Sequence, residues 1–537
     1  MFLMQRGPRV NGDGGGALIA VIGIVAVVTV VGAAMIGVVI NSISMTGSTR
    51  AGVQSQAAAE SGIDYATGRL ESGECHETFV HANVPSFRAT VQYSLSSTGD
   101  LWVSQCPIPA AAVRIRIVSQ GSASGGDVAG GTHSDVRVIE TIHAAAPPPP
   151  PLVASGAALY SYRSTGVGTT GRLVSVAGSR PSLLVAHGDV DCGTSGEVGG
   201  DVVVARGAFI AGTSCAIGGN VWSAQAATLG TSFTMPGNVV ASSVSMGSNS
   251  RVDGAVWSSG RSSLDTSARV GGGLVAGSLE MGPSSVISGD AWVTGAAALG
   301  TGSQVGGSLS AVSKSGAGTV AGGTTLSEVP APGPSPEPAP LVPEWVDFSY
   351  QKADWRGFTE TEITGTCDLD KLQTVTTRMT GAAVIDARAC TNGVTLATSA
   401  VLSVPYDLVI VANRIDVGTS AGFTSTSSRK LWLITPDGNP DGQPTCPAGG
   451  SVDIGTSAII GTEVTALVYT PCSMSAGASA TWRGQVHAAK AAFSASSTLY
   501  FTPVGLPGVD LTTGAAHAAS GTGLLGSLVS MRELGTS

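Results

Sequence analysis

The chain has 537 residues, 75 of them glycine, with only 5% aromatic and 12% charged residues and a formal net charge of −9. Its length asks for several domains, and a mix led by Gly, Ala, Val, Ser and Thr suits short strands and tight turns while being too apolar and too weakly charged for a disordered chain. No basic cluster stands out, which leaves a nucleic-acid partner without electrostatic support.

A short leader, residues 1–16, carries Arg6 and Arg9. Ala17–Ile40 follows without a charge. As a helix it is about 36 Å long at ~1.5 Å per residue, enough to cross a bilayer core. It is too long for the apolar core of a cleaved signal peptide. The first charge beyond it is Arg50, so the positive-inside rule puts the N-terminus in the cytoplasm and the body outside. The helix is expected to continue to about residue 72. Val53, Ala57, Ile63, Ala66 and Leu70 form its apolar stripe, Glu60, Asp64 and Arg69 its wet side, and Gly73 its stop.

Residues 73–146 read as a small strand domain. Val113–Ile117 and Val136–Val138 alternate apolar and charged residues, and the Gly-rich stretch 121–131 can fold them into a hairpin. Pro147–Pro151 reads as a stiff polyproline spacer. The N-terminal region resembles the PilX-type minor pilins of type IV pilus systems and their pseudopilin relatives. The resemblance rests on the basic leader, Gly14-Gly15-Gly16-Ala17-Leu18, the apolar run, and Gln56-Ala57-Ala58-Ala59-Glu60-Ser61-Gly62-Ile63. It covers residues 1 to about 145 and implies processing between Gly16 and Ala17, with pilus or pseudopilus subunits as partners. Major pilins carry a docking glutamate at the fifth mature position; here it is Val21, which argues against a repeating shaft subunit.

The middle of the chain repeats. Gly200, Gly219, Gly237, Gly254, Gly272, Gly289, Gly307 and Gly323 recur every 16–19 residues, and Gly-Thr-Ser turns keep step at 193, 212 and 230. Three apolar columns run through the repeats. One is Val202, Val221, Val239, Val256, Leu274, Ala291, Leu309; the second is Ile210, Leu229, Met246, Leu264, Met281, Leu299; the third is Ile217, Met235, Val252, Val270, Ile287, Val305. Three inward columns per ~18 residues predict a triangular β-helix over 152–328. The region 188–323 resembles bactofilin-like, polymer-forming β-helices. The Pro-rich stretch 329–343 reads as a linker, 344–508 as irregular further coils with a cap, and 509–537 as a loose tail with a short helix. The fold expected is mainly β, behind one long N-terminal transmembrane, pilin-like helix.

The eight cysteines fall into four sequential couples with no CxxC. Behind a membrane span they predict disulfides Cys75–Cys106, Cys192–Cys215, Cys367–Cys390 and Cys446–Cys472. Cys75, His76, Glu77 and His81 make a poor zinc set, and Gly521-Thr522-Gly523-Leu524-Leu525-Gly526 is a dinucleotide-like string without a βαβ context. Asp201, Asp253 and Asp290 occupy different places in the repeat, so no catalytic carboxylate pair emerges. No catalytic, metal or cofactor residue is assigned. Trp222, Trp257 and Trp292 follow the first inward column by one residue, so strand alternation points them outward, one every second coil. Such a stripe is either covered by the C-terminal half folding back or left bare to dock a cell-surface glycan or protein.

The expectation is a non-enzymatic, single-pass cell-membrane protein with an extracytoplasmic body. It resembles a minor pilin with a β-helical head for adhesion or spacing. The rivals are a tethered polysaccharide-processing enzyme and a self-polymerising scaffold.

Overall fold

The computed structural model describes residues 14–72, 74–98, 101–109, 111–126, 132–145, 154–176, 178, 180–355, 357–516 and 524–535. The expected leader (residues 1–13 of it), Gly73 and Pro147–Pro151 lie outside the described residues. The chain forms two compact units, residues 1–148 with 521–537, and residues 149–520.

The first unit is built on one helix, α1, Gly14–Glu71. Its N-terminal half is apolar and among the described residues packs against nothing, with a mean hydropathy of 2.8, so the helix is long and apolar enough to cross a membrane. Its C-terminal half lies on an antiparallel sheet in the order Thr78–His81, Ser86–Ser94, Arg114–Gly126, Thr132–Ala145, Leu525–Leu534. Ala59, Ile63, Ala66 and Leu70 pack there against Val91, Ile115, Ile117 and Ile139. The stripe begins with Ala51, Ser55 and Ala58, which are buried; Val53 is 64% exposed and Ala57 is also exposed, contrary to expectation. Small residues are selected because the helix sits directly on the sheet. A Cβ at Gly121 would strike the backbone of Ser55 and Ala59. The Gly-rich stretch is correspondingly strand up to Gly126 rather than a long connection.

The tail corrects a second expectation. Residues 525–534 form no helix; they are the fifth strand, antiparallel to Thr132–Ala145. Arg532 Nε donates to Glu140 Oε1 at 2.7 Å, Arg116 pairs with the same carboxylate, and Arg137 reaches Glu533 at 2.8 Å. Glu140 is 1% exposed. Residues from both ends of the chain thus build this unit, and the second unit is an insertion between its fourth and fifth strands.

The second unit is a parallel β-helix whose coils are not stacked in chain order. From Leu159–Ser161 the chain climbs coil by coil to Thr324–Leu326. It then returns along the outside and starts again at Thr359–Glu362, climbing until Thr481–Phe493 pairs beneath Leu159–Ser161 and Thr165–Val167, and Thr498–Phe501 beneath Arg172–Ser175. The expected division into 152–328 and 344–508 is therefore one stack. Sixteen strands line one face, a height of about 72 Å at ~4.8 Å per step.

The core follows the expected columns with one exception. Ile210 is 43% exposed, and its neighbours Phe209 and Ala211 point inward, paired with Ala227 and Leu229. Three apolar residues in a row hide the alternation there. One corner is set by the third residue of the Gly-Thr-Ser turn, which takes the left-handed conformation in twelve coils, including Thr170, Ser195, Ser214 and Ser496. That conformation is unfavourable for a residue with a Cβ. It aims the N–H along the stack, as in Ser195 N to Thr213 O at 2.8 Å. Ser496 N donates to Thr169 O at 2.8 Å in the same way, so the corner ladder crosses the junction between the two runs without a break.

The two ends differ. The lower end is closed by α2, Leu369–Thr376, whose N-cap Asp368 accepts from Lys371 N and whose Leu372 is buried. At the upper end the inward columns run out into Lys314, Gly316 and Thr324, the partners of Ala297, Leu299 and Leu309. All four cysteine couples are disulfides.

Two outcomes are expected. Glu140→Gln leaves two arginines facing a neutral amide and destabilises the first unit by about 3 kcal/mol, read as faster hydrogen exchange along Thr132–Ala145; unchanged protection there would reject the role given to this carboxylate. Replacing Cys192 and Cys215 together by alanine costs about 3 kcal/mol in the entropic account of short-loop cross-links, read by chemical denaturation of the oxidised protein.

Candidate functional site

The outer face that carries the tryptophans is the most specialised surface of the β-helix. In register along it stand Leu184, Val203, Trp222, Val240, Trp257, Val275 and Trp292. Downward the column continues through Tyr160, His487, Tyr469 and Ile434. The tryptophans point outward and stack along one face. They are not covered by the C-terminal coils, and they are not bare. The Pro-rich stretch itself lies on them.

Trp257 Nε1 donates to Pro334 O at 2.8 Å and Trp222 Nε1 to Glu337 O at 3.1 Å. The spacing has a physical cause. Two coils separate these tryptophans, about 9.6 Å, and three residues separate the carbonyls they grip. A polyproline II turn is three residues and about 9.3 Å. Tryptophan on every second coil is thus commensurate with a proline-rich strand laid along the axis. Prolines lack the N–H, so only carbonyls are offered, and indole, which only donates, is the matching partner. At Gly333 the strap passes so close that a Cβ would come within 2.7 Å of Val275 and 3.0 Å of Trp292.

The strap continues downward with the same chemistry. Tyr160 Oη donates to Pro343 O at 3.0 Å and Tyr469 Oη to Val346 O at 2.6 Å, while Phe348 N donates to Tyr469 Oη. Trp345 Nε1 donates to Asp437 Oδ2 at 2.8 Å. Trp345, Val346, Phe348 and Trp355 join the outer apolar cluster with Val409, Trp432 and Leu467. Residues 327–358 reach about 100 Å at ~3.1 Å per residue, enough for the whole height of the stack.

The carboxylates have structural work. Asp201 and Asp290 share one corner column rather than occupying different places. Asp201 Oδ1 accepts from Asn220 N, Asn220 Oδ1 from Asn238 N, and Asp290 Oδ1 from Ser308 N. The Ser308 N–H and hydroxyl hold the Asp290 carboxyl below its usual range. Asp253 is paired with Arg251. Asp416 and Asp453 stand in register on neighbouring coils, but both oxygens of Asp453 accept from serine hydroxyls, Ser475 and Ser451, at 2.7 Å, and Asp416 faces Arg414.

Cys75 is in its disulfide, His76 lies edge-on to Phe79 and His81 stacks on Phe87. Among the described residues no group of three or more His, Cys, Asp or Glu is placed to hold a metal. Gly521–Gly523 lie outside the described residues, and Leu525-Gly526 opens a strand, not a helix. Gly16 and Ala17 fall within α1. Sequence reasoning missed Tyr160, Tyr469, His487 and Trp345. The readable signal was Trp345 beside the Pro-rich stretch and the match between tryptophan spacing and polyproline pitch.

No family model, curated protein or solved structure matches the chain.

Gly333→Leu is expected to lift the upper strap and leave the coils intact. The measurement is protease cleavage within 329–343, faster by tenfold or more. Trp257→Ala removes one grip and part of its apolar cover, about 2 kcal/mol by area, with the same readout. Equal cleavage of wild type and both variants would mean that the tryptophans do not hold the strap.

Proposed function

We propose that this chain is a single-pass surface protein of the minor-pilin kind, with its N-terminus in the cytoplasm and its body outside, and that the β-helix is a non-enzymatic head for adhesion or spacing. One observation carries the reading. One helix has an apolar half that none of the described residues covers, continuous with a half that packs on an antiparallel sheet. The uncovered half needs lipid or the helices of other subunits. The paired disulfides support an oxidising, extracytoplasmic compartment for the body.

The ends of the stack weigh against open polymerisation. A helix closes the lower end, and at the upper end a lysine and a glycine interrupt the inward columns. The serine and arginine partners of Asp453 and Asp416 weigh against a hydrolase. The apolar helix makes the membrane a partner, with pilus or pseudopilus subunits as the assembled form. A glycan or protein ligand of the head would bind a face other than the strapped one.

The test is the N-terminus of membrane-extracted protein by mass spectrometry, together with sheared surface filaments. Cleavage before Ala17 and recovery with filaments are expected. An intact Met1 and absence from filaments would reduce the helix to a simple anchor, and a mature N-terminus beyond residue 40 would end the reading.

A further inference from the structure

The place where the two runs of coils meet is held by stacking and backbone pairing, and one imidazole sits in the middle of it. His487 lies on the last coil of the C-terminal run. Its ring stacks on Tyr160, the first coil of the N-terminal run, at 4.1 Å and 6° between planes, and on Tyr469 below at 5.6 Å and 10°. Trp345 of the strap closes the pocket at 5.0 Å. The residue is 2% exposed, and its Nε2 has no hydrogen-bond partner. The surrounding polar groups are turned elsewhere. Both tyrosine hydroxyls donate to strap carbonyls and the Trp345 indole to Asp437.

We propose that this stack is an acid-operated latch: protonation of His487 drives the ring out from between Tyr160 and Tyr469, lifts Trp345, and frees the strap segment 343–350 from the junction of the two runs. The stack has room only for the neutral ring, since a buried imidazolium without a partner is strongly disfavoured.

Burial alone pushes the His487 pKa down to about 3 from its ordinary 6.5. The closed latch is therefore at full strength above pH ~6.5. It weakens about tenfold per pH unit as pH falls from there toward 3.

Other charged and titratable groups face the pocket, and the His487→Phe control separates their contribution from that of the imidazole. Glu344 is paired with Arg206 at 2.7 Å and faces His187. The Asp347 carboxyl is raised, by burial first and then by Asp437 and Asp441, against the Gly442 N–H that lowers it. A raised carboxyl favours the closed state in acid, the opposite sign. Asp437 accepts from Trp345 Nε1 and Thr445 N. Tyr160 and Tyr469 are pushed up by burial and do not titrate in acid. The neighbours on the same strand, Gln485 and Ala488, carry no charge.

The test is hydrogen exchange of the full chain in detergent at pH 7 and pH 4.5, corrected for intrinsic rates. Peptides covering 343–358 should open about a hundredfold more at pH 4.5, while peptides within 226–311 stay unchanged. His487→Phe keeps the aromatic stack and should abolish the difference. Constant strap protection from pH 7 to 4.5 would overturn the proposal, as would acid opening that persists in His487→Phe. If that variant does not fold, proton–deuterium exchange at the His487 ring carbon of the wild type decides. A midpoint near 6.5 in the folded protein would overturn the latch; a midpoint far below it is the expected result.

Discussion

In the β-helix the backbone donors and acceptors of a strand inside the stack pair with the coils above and below, and that demand is indifferent to chain order. Any coil with the right corners can sit on any other. The strap runs along this stack and links its upper end to its lower end. Its carbonyls are bound by outward aromatic donors, and two pairs of these, Trp257 with Trp222 and Tyr160 with Tyr469, stand two coils apart against carbonyls three residues apart. Laid there, the strap delivers residue 359 to the lower end of the stack. From there the C-terminal coils run upward until Thr481–Phe493 meets the strands Leu159–Ser161 and Thr165–Val167.

This division of labour explains which parts were legible in the sequence. The columns of Val221, Leu229 and Met235 and their relatives were readable because corner glycines and left-handed turn residues recur with each coil, and burial on one side of a strand forces alternation. Ile210 misled because Phe209-Ile210-Ala211 is apolar at every position. The cysteine couples were readable because each joins neighbouring segments. The stacking order was not, since the pairing of Val486 with Leu159 leaves no local mark on either strand. The same holds for Leu525–Leu534. Its partner strand lies nearly 400 residues away, and Gly526, Ser527 and Ser530 blur its alternation. The tryptophan stripe was visible as an outward apolar column; that its cover was the adjacent linker needed the match of two pitches, one from each element.

Stacking out of order also fixes where the second unit begins and ends. Its first coil and its last lie against one another in the middle of the stack rather than at opposite ends. Gln485, 1% exposed, joins them. Its Nε2 donates to Ser155 O of the incoming chain, and its Oε1 accepts from Val504 N and Gly505 N of the outgoing chain. Leu511 N donates to Ser155 Oγ and Gly156 N to Thr512 Oγ1. A solenoid in chain order would leave its two termini some 70 Å apart by the rise per coil, too far for both to return to neighbouring strands of one small sheet.

The out-of-order stack suits the insertion between Thr132–Ala145 and Leu525–Leu534. Two adjacent strands can host an insert only if its ends come out side by side, as tolerated insertions generally require. They come together because the second run lies beneath the first. The fifth strand then closes the sheet on α1, where Leu524 N reaches Leu70 O at 3.0 Å and Arg532 reaches the buried Glu140. The chain's last residues can complete that sheet only after the whole β-helix has been threaded between them and the helix they support. The sheet on the apolar helix thus takes its fifth strand from beyond every coil of the β-helix.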